Sequence, residues 1–192
     1  MIKKFMAIML IGVSVYAQEI GDILPKFKAV STTIITVVQN KQYTADVRNN
    51  IIIETISPMF DFTLMGKLSL GRKWKTLDKD TQKEFVKLYV KRMKQSYSSK
   101  IDKYTDEKII VNSIKQVKKT RVVLDTSIVS SGDKLELIYK YYKPKKQIKD
   151  KNLWLVYDVV IDGVSIIKTD KAQFKAVIKE SSIEGLMKKL RK

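Results

Sequence analysis

The side chains able to do chemistry are defined first by two that are missing. The chain contains no histidine and no cysteine. A Ser-His-Asp triad, a thiolate nucleophile and the usual zinc ligand sets each need one or the other. Paired carboxylates remain as a route to acid–base catalysis, but no Asp/Glu pair stands apart from ordinary surface and capping acids. The chain therefore reads as no enzyme: catalytic residues none, metal ligands none, cofactors none. What it has in quantity is lysine, and apolar and aromatic side chains that must be enclosed.

The elements that would enclose them centre on Met59 to Tyr97. Phe60 to Leu70, wound as a helix, points Phe60, Phe62, Leu64, Met65, Leu68 and Leu70 nearly all round the axis, so it needs cover on most sides. Gly71 offers a C-cap able to take positive φ. Asp78 is a good N-cap for a second helix whose stripe is Phe85, Val86, Tyr89, Val90, Met93 and Tyr97. Upstream, Phe27, Val30, Ile34 and Val37 mark a helix reaching about Gln42. Thr44 caps another that carries Val47, Ile51, Ile52 and Ile56 until Ser57-Pro58 interrupts it.

Beyond Tyr97 the period falls from 3.6 to 2. Four strands are expected: Lys108 to Val117, Thr120 to Val129, Lys134 to Tyr142 and Leu153 to Ile161. Ser130 to Asp133 is a turn signal, and Lys143 to Asn152 is a basic loop. The last strand is apolar on both faces, as a covered strand would be. Asp170 with Gln173 reads as a capping box for a helix with stripe Phe174, Val177 and Ile178. Ser181 or Ser182 starts a last helix with Ile183, Leu186, Met187 and Leu190 inward. The fold class is α+β: a four-stranded antiparallel curved sheet enclosed by N-terminal and C-terminal helices. Composition alone leaves open whether the interior is solid or hollow.

Residues 1–17 are expected to be a cleavable signal peptide, with Lys3 and Lys4 before the apolar run Phe5 to Val15 and Ala17 at its end. The run is too short to span a membrane; the alternative is an uncleaved N-terminal helix. Residues 18–192 then form a single exported domain, held without disulfides. The net charge is +18, mostly lysine spread along polar faces. Arginine is sparse and the charge is not concentrated, which argues against nucleic acid. A solvated lysine surface and steering toward anionic membranes or acidic partners both fit.

Two segments carry a resemblance. One is Phe60 to Tyr97, with Leu68-Ser69-Leu70-Gly71-Arg72-Lys73-Trp74 at its centre. The other is Trp154-Leu155-Val156-Tyr157-Asp158-Val159-Val160-Ile161-Asp162-Gly163-Val164-Ser165, followed by Gln173-Phe174 and the Gly185-Leu186 helix. In order and spacing the chain resembles the MlaC-like proteins, periplasmic phospholipid carriers also described as toluene-tolerance auxiliary components of an ABC transporter. It departs from them in its lysine content and in the strongly basic loop Lys143 to Lys151.

The resemblance implies a carrier in the periplasm that holds a glycerophospholipid by its acyl tails in an apolar pocket. Its partners would be phospholipid, an outer-membrane lipoprotein complex and an inner-membrane ABC transporter with an MCE-domain subunit, with transient membrane-surface contact and no nucleic acid. The service would be maintenance of outer-membrane lipid asymmetry. Pattern and resemblance together put Phe60, Phe62, Met65, Leu68 and Leu70 on one wall, and Phe85, Tyr89 and Met93 on a second. Val122, Leu124, Leu137, Tyr139, Tyr141, Tyr157 and Val159 form the sheet face. Each is equally readable as solid core. Asp158 reads as a structural acid near Gly163 rather than a head-group contact, Gly163 as a bend, and Trp74 and Trp154 as packing anchors. The alternatives are a carrier of an isoprenoid or fatty acid, and a basic interaction protein with a filled core.

Overall fold

A computed structural model describes residues 20–101, 108–130 and 133–191. The expected leader and the turn residues Ser131 and Gly132 lie outside them. Helix α1 (Ile23–Gln39) buries Ile23, Phe27, Ser31 and Val37 along one side. In its β-branched run the Thr33 and Thr36 hydroxyls donate to the carbonyls of Ala29 and Thr32, one turn back, so the helix depends on its packed side rather than on local propensity. Helix α2 (Ala45–Ile56) starts at Thr44, whose hydroxyl accepts from the Val47 N–H. Of its expected stripe only Ile52 is fully buried, and Val47 is exposed. The helix lies at the surface, so its pattern is weaker than the spacing alone suggests.

Ser57–Met59 form a 3-10 turn. The next residues are tacked beside the start of the last long strand: Asn152 N–H donates to Pro58 O, Asp61 N–H donates to Val156 O, and Phe60 bridges Val156 in parallel. This keeps Phe60 out of the helix expected to begin there. Helix α3 instead spans Phe62–Leu70, with the Asp61 carboxylate accepting from the Leu64 N–H at 2.8 Å. Gly71 ends it at φ +57, its N–H donating to Lys67 O. Unlike the all-round apolar helix expected, α3 leaves Thr63 and Lys67 exposed and Leu68 half-buried. A second 3-10 turn, Gly71–Thr76, buries Trp74. Gln82 pins that turn by donating to Trp74 O and Leu77 O.

Helix α4 (Lys79–Ile101) begins at Asp78 as its cap chemistry requires. Asp78 accepts from the N–H groups of Asp80 and Thr81 and from the Thr81 hydroxyl. These bonds, the Thr81 hydroxyl foremost, hold its carboxyl below the usual range.

The sheet runs β1 (Lys108–Lys118), β2 (Arg121–Ser130), β3 (Asp133–Tyr142), β4 (Leu155–Ile161) and a short β5 (Val164–Ser165), all neighbours antiparallel. The meander is as expected, with β5 as an addition. Asp162 and Gly163 turn the chain between β4 and β5 with φ of +45 and +78, the left-handed geometry a two-residue hairpin needs. Register shifts in β1 and between β3 and β4 curve the sheet.

Helices α5 (Ile166–Glu180) and α6 (Ile183–Arg191) close the chain. The capping box expected at Asp170 is not the start of α5. Ser165 is the N-cap, accepting from the Lys168 N–H, and Asp170 lies a turn inside the helix and is buried. The hairpin at Gly163 delivers Ser165 to the helix start, so α5 begins earlier than the acid–amide spacing suggests. The core lies between the inner face of the sheet and α1, α3, α4, α5 and α6.

Candidate functional site

The inner face of the sheet is a ladder of apolar rungs. Register places Val122, Tyr141 and Val156 side by side, then Leu124, Tyr139 and Val159, then Thr126, Leu137 and Ile161. The one hydroxyl here that belongs to no tyrosine is satisfied, since Thr126 donates to Leu137 O at 2.9 Å. Helix α1 lies against this face through Phe27, whose ring meets Tyr139 edge-on at 5.2 Å. Burial pushes the Tyr139 phenol up to about 12 and raises that of Tyr141 further. The Tyr141 hydroxyl and the indole Nε1 of Trp154 are both buried without a hydrogen-bond partner.

The opposite wall is built on helices. Phe60 and Phe62 stack at 5.5 Å. Met65 is fully buried, Leu70 nearly so, and Met93 is buried on α4. Further along, Phe85 and Tyr89 stack at 6.0 Å, and Phe174 of α5 meets both edge-on at 5.8 and 6.1 Å. Trp74 meets Phe85 edge-on from the other side. The Tyr89 hydroxyl donates to Asp170 Oδ2 at 2.8 Å, and Arg92 Nη1 donates to Asp170 Oδ1 at 2.7 Å. Arg92 also donates to Gln173 Oε1 at 3.0 Å and lies over the Phe174 ring at 5.3 Å. The acid and amide expected to cap α5 thus clasp α4 to it.

Fourteen of the fifteen sequence-predicted residues fall in or against this one apolar cluster, Leu68 and Tyr139 as its partly buried margin. Tyr157 does not. It is the extra residue in β4 opposite the step between Lys140 and Tyr141, and that bulge reverses its facing. Its ring lies on the outer face with Tyr142 at 6.0 Å, and the Arg121 guanidinium sits 5.2 to 5.3 Å from both rings.

Asp158 also points away from the inner face. It accepts from the Ser165 hydroxyl at 2.9 Å, the Ile167 N–H at 3.3 Å and Lys140 Nζ at 2.9 Å. It therefore ties β3, β4 and the start of α5 together as a structural acid. Phe27 and Val156 belong to the same apolar cluster although sequence reasoning did not select them. Phe27 was visible only as one member of a stripe, and the facing of Val156 depends on the bulge beside it.

Among the described residues no group of acids could hold a metal ion, and no helix is long and apolar enough to cross a membrane. A family model described as MlaC protein matches residues 28–192. A curated relative, the intermembrane phospholipid transport system binding protein MlaC of Haemophilus influenzae, is 23% identical over 144 residues, or 75% of this chain. The match spans 64% of that relative's own length. The fold is shared with a solved structure of the phospholipid-binding protein from Ralstonia solanacearum in complex with a phospholipid. That likeness has a TM-score of 0.74 at 19% identity and covers 87% of this chain and 93% of that one.

Proposed function

The chain belongs to the MlaC protein family, and from that premise we propose that it is a periplasmic carrier, not an enzyme, that holds a glycerophospholipid by its acyl tails. It would pass the lipid between an outer-membrane lipoprotein complex and an inner-membrane ABC transporter with an MCE-domain subunit, maintaining outer-membrane lipid asymmetry. The observation that carries this reading is the three-rung apolar face facing α1 and α3, in a fold shared with a phospholipid-binding protein. Each CH₂ of an acyl chain costs about 0.8 kcal/mol in water. Two tails crossing an aqueous gap therefore need a water-free sleeve.

Within that sleeve the tail-holding surface is the sheet face with Phe60, Phe62, Met65, Leu68, Leu70 and Met93. Phe85 and Tyr89 form its rigid back, since their rings are already engaged by Trp74 and Phe174. Tyr157, on the outer face, is not part of it. The exposed Lys145, Lys146 and Lys149, with Ile148 among them, suit passing contact with an anionic membrane surface.

Native mass spectrometry with organic extraction of protein purified from the periplasm tests the proposal. Co-purified phospholipid is the expected result. A species lacking phosphate points to an isoprenoid or fatty-acid carrier, and a lipid-free protein ends the carrier reading in favour of a basic interaction protein. Leu137→Glu, which sets a charge on the third rung, should lower occupancy in protein that keeps its circular dichroism. Unchanged occupancy removes that rung from the sleeve.

A further inference from the structure

The first turn of α1, Met59 and the segment entering β4 meet at one end of the inner face in a narrow cleft. Tyr141 and Trp154 line it with Asp22, Ile23, Lys26, Asn152 and Leu153. Its free volume is about 10 Å³, room for one water-sized group. Asp22 and Lys26 at its edge pair with each other at 3.6 Å, whereas Tyr141 and Trp154 are only 2% and 4% exposed and each buries a polar atom with no partner. A buried donor left unmade is unfavourable, and native proteins rarely keep one without a use. Here the two residues that carry them line the same small space.

The chemistry of the pair specifies what enters. An indole Nε1–H only donates. The Tyr141 phenol stays protonated at any physiological pH, because burial raises its pKa. With one group that can only donate and a second O–H still unmatched, an oxygen with free lone pairs can accept from both. Tyr141 stands on the rung with Val122 and Val156, beside the cleft, while the Leu124 and Leu137 rungs lie farther along the apolar face. The polar end of the ladder is thus marked.

We propose that this cleft receives one acceptor oxygen of the cargo's head end, a phosphate or glycerol-ester oxygen, bound by the Tyr141 O–H and the Trp154 Nε1–H, with the tails running toward Leu137. This rests on the carrier reading above and adds an orientation and a polar subsite to it. It also gives Trp154, otherwise a packing residue, a contact with the lipid.

The test loads wild type, Tyr141→Phe and Trp154→Phe with dioleoyl phosphatidylglycerol or with dioleoylglycerol, which has the same tails and esters but no phosphate. Retention is read by native mass spectrometry against competing vesicles, and thermal unfolding of each lipid-free variant reports its fold. Each variant should retain phosphatidylglycerol about fivefold to tenfold less well than wild type. A loss confined to phosphatidylglycerol identifies the phosphate oxygen, and an equal loss for dioleoylglycerol identifies the ester oxygen. Retention unchanged for both lipids overturns the subsite and leaves lipid carriage standing, as expected of a cleft that only holds a water. Wild type that retains neither lipid overturns the carrier reading and the subsite together. Should Trp154→Phe fail to fold, the Tyr141→Phe result decides alone.

Discussion

Tyr89 on α4 and Tyr141 on β3 are both almost fully buried, and both stand in aromatic surroundings. Tyr89 is held on every side. Phe85 stacks on it, Phe174 meets it edge-on, and its hydroxyl donates to Asp170, which also accepts from Arg92. Tyr141 sits on a plain apolar rung with its hydroxyl unmatched, beside a cleft. The helix side is built as a closed solid in which polar groups are used up internally. The sheet side keeps polar capacity in reserve and has α1 resting on it mainly through Phe27 and its neighbours. A protein that must hold something and release it needs both kinds of wall, a fixed back and a face with unfilled valences.

The largest way to break that contrast is at the centre of the solid side. Phe85 is fully buried among Trp74, Tyr89 and Phe174. Phe85→Ala should cost about 4 kcal/mol in urea unfolding, because the locked neighbours cannot collapse into the gap. A cost near 2 kcal/mol would mean that the helix side is as yielding as the sheet side is taken to be.

Alkaline pH probes the sheet side. The Tyr139 phenol ionises near 10 when unfolded and is pushed up to about 12 by burial alone. An acid whose folded pKa is raised contributes stability that is complete below pH 10 and is lost as pH climbs through 12. Wild type should lose up to about 3 kcal/mol more than Tyr139→Phe over that interval, read from denaturant midpoints. The lysines that titrate there are common to both proteins and cancel. Parallel curves would show that Tyr139 is wetter than its seat against Phe27 implies.

Smaller, but opposite in sign on the two walls, is the loss of a single hydroxyl. Tyr89→Phe leaves Asp170 short of a donor in a buried site and should destabilise the lipid-free protein by about 2 kcal/mol. Tyr141→Phe removes an orphan and should leave stability unchanged or raise it by about 1 kcal/mol. Equal losses in both variants would erase the distinction between the walls.

Local rules explain which parts of this arrangement were readable in advance. The alternation of Val122, Leu124, Thr126 and Ile128 against Leu135, Leu137, Tyr139 and Tyr141 carried the sheet face, because period-2 patterning survives wherever the register is unbroken. Asp78 and Gly71 were legible because a cap is settled within one turn. Tyr157 was misplaced because a single extra residue in β4 reverses the parity, and no composition signal marks it. Asp170 was misread for a different reason. Its spacing to Gln173 imitates a cap, whereas its real partners, Tyr89 and Arg92, lie 81 and 78 residues away. The seat of Phe27 on Tyr139 is likewise a tertiary fact. Outside the described residues, the leader over residues 1–17 stays an expectation from sequence alone.

The finest test of the two walls adds one carbon. A Cβ at Gly66, midway along α3, would stand 3.3 Å from Phe85 Cε1 and 3.6 Å from Val86 Cγ2. Alanine favours a helix interior over glycine by about 1 kcal/mol. Overpacking a core that cannot shift costs about 1 to 3 kcal/mol. The Phe85 ring is the atom group that would have to move, and it is wedged from three sides, so the packing cost should win. Gly66→Ala is expected to destabilise by about 1 kcal/mol, and Phe85→Leu in the same chain should relieve part of that loss as a measurable coupling energy. If Gly66→Ala instead delivers the full helix gain, the ring has slack. The helix side would then be no more solid than the face it opposes.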